Sequence, residues 1–505
     1  MVGRVLKVLQ SRWDYVRFIY GRNSRVAWEL VAVLVALLGL SLPALLPGPV
    51  VAGVNGLGLV IATVSAFIGA AVTFRSWRAV TLVPYEPEPV AGVEWTDTGW
   101  HARDAVASHN GIATRLWGST EVDQVLWGRS VAEPVGGEGD ADAVITPARL
   151  ETSAYQLPGT LQEVAAAALR HTGRNWKRTL RLPIRFNGQC LGLGVEPTAQ
   201  LLTDGHLAFV PTRYFDGECS NELWGFRIHR RDERQSIQPR DLAVDRAGRA
   251  LSLDQSRAAN IVGISLFAVT RDDKVMLIQQ TQGNSVAPGA LASSSSGSLD
   301  LADFPQGPRR PWWSSWWGAS RGQGDGDVNG VRVLLTGMLR ELHEECLVRP
   351  GRRTDGSPDY FAGEVRGETA RVTGYWRWES RSMKPEFSGL VKVDVDAGTL
   401  TSRTHRGGET TFTERLVAVD ADVLVRAADL KANTSTGWER RAINLLREGV
   451  VHTQSADTNA VEATTPEQVE AVEMSPSCEQ AWVHAVRFVS QNPDWLSVSD
   501  ELSPR

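Results

Sequence analysis

Arg340-Glu341-Leu342-His343-Glu344-Glu345-Cys346-Leu347 closes an apolar-periodic run that extends from Val331 to Val348. Leu335, Leu339, Leu342 and Cys346 recur in it at spacings of four, three and four. At about 100° per residue these four fall on one stripe, so the run predicts an amphipathic helix. Glu341, Glu344 and Glu345 lie on the other side, within an arc of about 100°. Three carboxylates on one helical face repel each other unless a cation lies between them. Hard oxygen donors grouped in this way suit Mg²⁺ or Mn²⁺. The alternative is a solvated acidic face.

The order of the residues resembles the signature helix of Nudix hydrolases, R-E-(apolar)-x-E-E-x-G-(apolar). Arg340, Glu341, Leu342, Glu344, Glu345 and Val348 match it. Leu347 stands where the family has glycine, and Pro350, just beyond, is expected to end the helix. The family motif opens with G-x5-E. Here that opening is found in Gly297 and, after five residues, Asp303. On that alignment 36 residues separate Asp303 from Arg340, and the box is split by an insertion.

The flanks carry the resemblance further. Ile261 to Gln280 reads as two β-runs around a turn at Arg271-Asp272-Asp273. Lys384-Pro385-Glu386-Phe387 precedes the apolar strand Leu390 to Val393. The resemblance covers roughly residues 258 to 450. It implies an α/β/α sandwich with a mixed sheet. It also implies Glu341, Glu344 and Glu345 as ligands of Mg²⁺ or Mn²⁺. Arg340, Glu344 and Glu345 become the catalytic positions, Arg340 holding the glutamates by a salt bridge. Glu386 is considered as a general base, against the reading of an ordinary surface carboxylate.

The whole chain is 505 residues, 42% hydrophobic, 22% charged, with a net charge of −5. This excludes wholesale disorder, and there is no global basic field that would call for a nucleic-acid partner. Its four cysteines, Cys190, Cys219, Cys346 and Cys478, form no C-x-x-C and read as reduced thiols rather than a disulfide framework.

Residues 1–25 are basic, and Leu30 to Phe74 carries no charge. As one helix that run would be about 68 Å long, twice the span of a bilayer core. Pro43, Pro47, Gly48 and Pro49 interrupt it. An N-terminal transmembrane α-hairpin over residues 26–78 is therefore expected, within a lipid bilayer. Basic residues flank its outer ends, so both termini are expected to be cytoplasmic, a multi-pass membrane localisation. Gly53, Gly56, Gly58, Gly69 and Ala70 would allow close packing, including a homo-oligomer through these helices.

Residues 79–94 read as a proline-rich linker. Residues 95–255 read as a β-rich α+β domain of undetermined role, with a helix over 161–169 and strands over 179–186, 190–195 and 206–210. Asn187-Gly188 and Asp204-Gly205 are hairpin signals within it. Residues 256–450 would be the Nudix-like domain, and 451–505 a polar linker with a C-terminal helical segment. Trp312, Trp313, Trp316 and Trp317 lie inside the insertion. They read as a loop packed on the domain, as an interfacial anchor, or as a lid stacking on a nucleobase.

Two functions follow as expectations. The first is a membrane-anchored, divalent-metal-dependent Nudix-type pyrophosphohydrolase acting on a nucleoside diphosphate derivative. The second is a nucleotide-binding membrane effector or sensor whose Nudix-like domain does not turn its ligand over.

Overall fold

A mixed sheet of nine strands organises the chain. The computed structural model describes Phe18 and residues 80–497, except 96–98, 106–113, 130–143, 173–186, 231–235, 282–286, 288, 306–327, 407–412 and 458–464. In chain order the strands are β1 (Trp100–Asp104), β2 (Arg115–Ser119), β3 (Gly263–Val269), β4 (Lys274–Gln280), β5 (Leu291–Ser293), β6 (Ser295–Ser298), β7 (Val365–Trp378), β8 (Lys384–Val393) and β9 (Thr413–Asp420). Their spatial order is β5-β4-β3-β8-β7-β2-β1, with β6 added to β3 and β9 to β4. β3 runs parallel to β8, from Gly263 beside Glu386 to Val269 beside Lys392. The other ladders are antiparallel.

β3 and β4 are the two runs expected between Ile261 and Gln280. The turn between them sets Asp273 at φ 53°, a left-handed conformation that aspartate tolerates. β3 is buried along its whole length, which marks a strand covered on both faces. Its side chains alternate between two cores. Ile264, Leu266 and Ala268 share one core with Leu334, Leu335, Met338, Leu339 and Leu342 of the signature helix, Gly330–Cys346. Phe267 and Val269 share the other with Trp482, Ala485, Val486 and Val489 of the C-terminal helix, Pro476–Gln491.

The C-terminal helix buries Trp482, Val483, Val486 and Val489, and its partner is the sheet. Trp482 meets Phe267 edge-on at 5.6 Å, and its indole N–H donates to the Ala442 carbonyl at 2.9 Å. Pro476 opens this helix in its first turn, where a missing N–H costs nothing, and Ser475 caps it. The helix also reaches back to the early chain. Asp123 Oδ2 accepts from Arg487 Nη1 at 3.2 Å and lies 3.0 Å from His484 Nδ1. The Gln480 amide oxygen accepts from Arg103 Nε at 2.8 Å, which turns its amide nitrogen, at 2.7 Å, toward His484 Nε2. The ring nitrogen Nε2 is therefore the acceptor, and Nδ1 carries the proton, 3.0 Å from Asp123 Oδ2.

Strand pairing crosses residue 255. β2 joins the sheet through Leu116, Trp117 and Gly118 against Trp378, Arg377 and Trp376 of β7. Arg377, fully buried, donates to Glu196 Oε2 at 2.9 Å. A second sheet of four strands runs Val328–Asn329, Pro147–Leu150, Leu207–Arg213 and Gln189–Leu193. The last two pair antiparallel, as expected, but Asp204-Gly205 is not a hairpin turn between them. A short helix, Ala199–Asp204, capped by Thr198, intervenes, and Gly205 caps its end at φ −114°. Residues 179–186, expected as a strand before Asn187-Gly188, lie outside the described residues, as does the tryptophan loop at 312–317.

The expectation of an N-terminal transmembrane hairpin, and of a multi-pass membrane localisation, is corrected here. Among the described residues no helix is long and apolar enough to cross a membrane. The longest of those described here, Trp438–Asp457, has 20 residues, but Glu439, Arg440, Arg441, Arg447 and Glu448 put charge along it. What is described is a mixed α/β fold. Residues 26–78, on which the hairpin was placed, lie outside the described residues.

Candidate functional site

The signature helix is framed at both ends. Asn329 Oδ1 accepts from the Val331 and Arg332 amides at 3.1 and 3.5 Å, which satisfies first-turn donors. At the other end Leu347 adopts a left-handed conformation, φ 58° and ψ 30°, and its N–H returns to the His343 carbonyl. The helix therefore stops at the position where the family has glycine, and leucine is held in the conformation that glycine favours. This corrects the role expected of Pro350, which instead begins a strand, Pro350–Arg352.

The two segments that hold Gly297 to Asp303 and Arg340 to Glu345 lie together in space. β6 leads from Ser295 to Ser298, and one 3₁₀ turn later Asp303 lies under the signature helix. Arg340 Nε donates to Asp303 Oδ1 at 2.8 Å and Arg340 Nη2 to Oδ2 at 3.0 Å, a two-pronged ion pair. The pair is nearly sealed from solvent, with side-chain exposures of 11% for Arg340 and 2% for Asp303. Asp303 Oδ2 also accepts the Asp300 amide at 2.8 Å, and Arg340 Nη2 reaches the Ser298 carbonyl at 3.2 Å. Gly337 makes this approach possible: a Cβ there would lie 2.5 Å from Leu299 Cδ1 and 2.9 Å from Asp303 Oδ2.

The same arginine organises the glutamates. Its Nη1 donates to Glu341 Oε1 at 2.9 Å and lies 3.5 Å from Glu344 Oε1. Glu341 rests on Gly297, where a Cβ would stand 2.5 Å from Glu341 Oε1. A larger residue there would displace that carboxylate from where it lies. Glu345 turns toward β6, and its Oε2 accepts the Ser296 amide at 2.9 Å. Glu344 is the open member, with 55% of its side chain exposed.

Charge is concentrated here beyond what one arginine neutralises. Burial, with the Glu344 charge adding and Arg340 opposing, lifts the Glu341 carboxyl to about 7. Burial and the Glu341 charge lift Glu345 well above the usual carboxylate range, against the pull of the Ser296 amide. Arg340 would be lowered by burial, but its hydrogen bonds to Asp303 and the charges of Glu341, Asp303 and Asp300 raise it instead. Asp300 is a further carboxyl at this place. Burial carries it to about 6, with Arg340 opposing and Asp303 and Glu344 adding. Asp300 was not singled out from the sequence, although it lies between Gly297 and Asp303.

Among the described residues no group of three or more histidine, cysteine, aspartate or glutamate side chains is drawn together closely enough to hold a metal ion. The donor chemistry nonetheless suits a hard divalent cation. Glu341 and Glu345 are partly buried carboxyls one helical turn apart, and Glu345 accepts from the Ser296 backbone amide.

Glu386 lies elsewhere. It sits on β8 beside Gly263, on the face that meets the C-terminal helix, and it accepts from Ser477 Oγ and, at 3.3 Å, from Ser265 Oγ. It is buried, so it is neither a surface carboxylate nor a neighbour of the signature helix.

No protein-family model matches the chain, and no curated protein matches it significantly.

Proposed function

We propose that this chain is a divalent-metal-dependent hydrolase of the Nudix type, cleaving a diphosphate linkage in a nucleoside diphosphate derivative. The observation that carries the reading is the assembly of Gly297, Asp303, Arg340 and Glu341 from two segments 36 residues apart in sequence. A chain keeping only an acidic helix face has no reason to rebuild the box's opening across an insertion. The Arg340–Asp303 pair supports the alignment that puts Asp303 in the place of the family's first glutamate.

Glu341, Glu344 and Glu345 would hold Mg²⁺ or Mn²⁺. Such a cation supplies charge neutralisation at the diphosphate and a water made acidic enough to attack phosphorus. Arg340 keeps Glu341 oriented while its other nitrogens are fixed on Asp303 and Ser298. Gly297 and Ser296 seat the carboxylates of Glu341 and Glu345 from below. Glu344, exposed, is the carboxylate free to meet a ligand arriving from solvent or to take a proton from water.

The test is a screen of the purified full chain against nucleoside diphosphate derivatives with Mg²⁺ or Mn²⁺. Metal-dependent release of a phosphorylated product, cut by roughly 10²-fold or more in Glu344→Gln, is the expected result. Ligand binding with no turnover by any member of the panel would replace the enzyme by a nucleotide sensor.

A further inference from the structure

Tyr375 and Arg377 are two residues apart on β7, so both project from the same face of the sheet. The Tyr375 hydroxyl donates to Glu196 Oε1 at 2.9 Å, and Arg377 Nη1 donates to Glu196 Oε2 at the same distance. Trp100, at the start of β1, opposes Ser119 of β2, a side chain small enough to let the indole reach across. It meets the Tyr375 ring edge-on at 5.8 Å. Trp95 meets Trp100 edge-on at 5.1 Å, and the Arg377 guanidinium stands over Trp95 at 5.1 Å. Five side chains thus close a ring of contacts, from Arg377 through Trp95, Trp100, Tyr375 and Glu196 back to Arg377.

Three nitrogens of this ring, Arg377 Nη2, Trp95 Nε1 and Trp100 Nε1, are sealed from solvent and meet no acceptor. The arginine is otherwise fully used. Its Nε donates to the Met383 carbonyl at 2.7 Å, and its Nη1 reaches the Leu251 carbonyl at 2.8 Å as well as Glu196. Buried polar groups are almost always hydrogen-bonded, so three open donors in one ring call for a partner. All three are donors, and both oxygens of Glu196 are already occupied. A ligand that fits therefore brings acceptor oxygens and has no need of a donor. A guanidinium beside two indole N–H groups favours an anion among such ligands. Trp95 and Trp100 are half-buried, so this ring reaches the surface on their side while Arg377 forms its floor.

We propose that Arg377, Trp95 and Trp100 form a binding site for a small oxyanion, which takes hydrogen bonds from the guanidinium and both indoles. The site shares no residue with the signature helix, and the inference does not rest on the function proposed above.

The test is a calorimetric titration of the full chain with sulfate, inorganic phosphate and acetate at constant ionic strength. Chelator is present, so that no metal on the signature helix can hold the anion. Sulfate and phosphate against acetate tell a tetrahedral from a planar ligand. Saturable binding of at least one of them by the wild type is expected. Trp95→Phe and Trp100→Phe each keep a ring and lose the N–H, and each should weaken that binding about tenfold. No binding by the wild type, or equal affinity in both variants, overturns the inference. Should either variant fail to unfold cooperatively, the wild type labelled with ¹⁵N-tryptophan decides the matter. Two indole N–H signals should then move together as the anion is added, and fewer than two moving signals overturn the inference.

Discussion

Replacing Glu341 by glutamine should flatten the dependence of thermal stability on pH. Without metal, the folded protein holds the Glu341 carboxyl at about 7, above the usual carboxylate range. A carboxyl raised by folding binds protons more tightly in the native state. Its stabilising contribution is complete below the unfolded value near 4.5 and is lost as pH rises through about 7. Between about pH 8 and about pH 6 the wild type should gain roughly 1 kcal/mol, at about 1.4 kcal/mol per tenfold change in proton binding. That is about 2 °C or less in Tm for a chain of this size. Glutamine keeps an acceptor for Arg340 Nη1 but cannot titrate, so this share of the slope should vanish. Saturating Mn²⁺ should stabilise the protein as acid does, in competition with protons. At a concentration about a hundred times its dissociation constant it should add about 2.7 kcal/mol near pH 8, and less near pH 6, where protons compete. Differential scanning calorimetry of both proteins at the two pH values, with chelator and with Mn²⁺, gives the comparison. A wild type that loses stability on mild acidification, or a slope no smaller in Glu341→Gln than in the wild type, would refute the assignment of a carboxyl raised by burial.

Other outcomes follow from the same geometry. Glu345→Gln should weaken Mn²⁺ binding by about tenfold or more in a calorimetric titration while raising metal-free stability, because a buried like charge is removed and the Ser296 amide keeps an acceptor. Gly297→Ala puts a methyl 2.5 Å from Glu341 Oε1, so Mn²⁺ affinity should fall by a similar factor in a chain that still unfolds cooperatively. Leu347→Gly should stabilise the protein by about 0.5–1 kcal/mol in chemical denaturation, because glycine takes the left-handed conformation at φ 58° without steric cost.

The signature helix was legible because its period, its apolar stripe and its charged face agree with one another. Leu335, Leu339, Leu342 and Cys346 are buried as their spacing requires, and the hairpin around Asp273 follows from two apolar runs and a polar turn. The link from Gly297 to Asp303 could be read because it is a local motif. Its meeting with Arg340 could not, since nothing in composition says that an insertion begins and ends at neighbouring points. Asp204-Gly205 misled because the same pair of residues also ends helices, and Leu202 was buried on a helix rather than on a strand. Pro350 was credited with a stop that Leu347 performs, because a non-glycine residue in the left-handed region leaves no trace in sequence. The transmembrane expectation rested on an uncharged run, its Pro/Gly break and its basic flanks, all outside the described residues apart from Phe18, and no described helix has that character. Asp300 escaped notice because its importance lies in the charges it faces.

The pairing of β2 with β7 imposes a schedule on synthesis. Arg115–Ser119 must wait for Val365–Trp378 before its free edge is covered. At the 5–20 residues per second of translation, that interval is on the order of 13 to 52 s. Throughout it, Leu116 and Trp117 belong to a strand with β1 on one side and nothing on the other. The face of β3 that carries Phe267 waits longer still, until the helix beginning at Pro476 has left the ribosome. A nascent chain stalled before residue 476 should therefore bind chaperones and be cut readily by protease, even though every carboxylate of the signature helix has already been made.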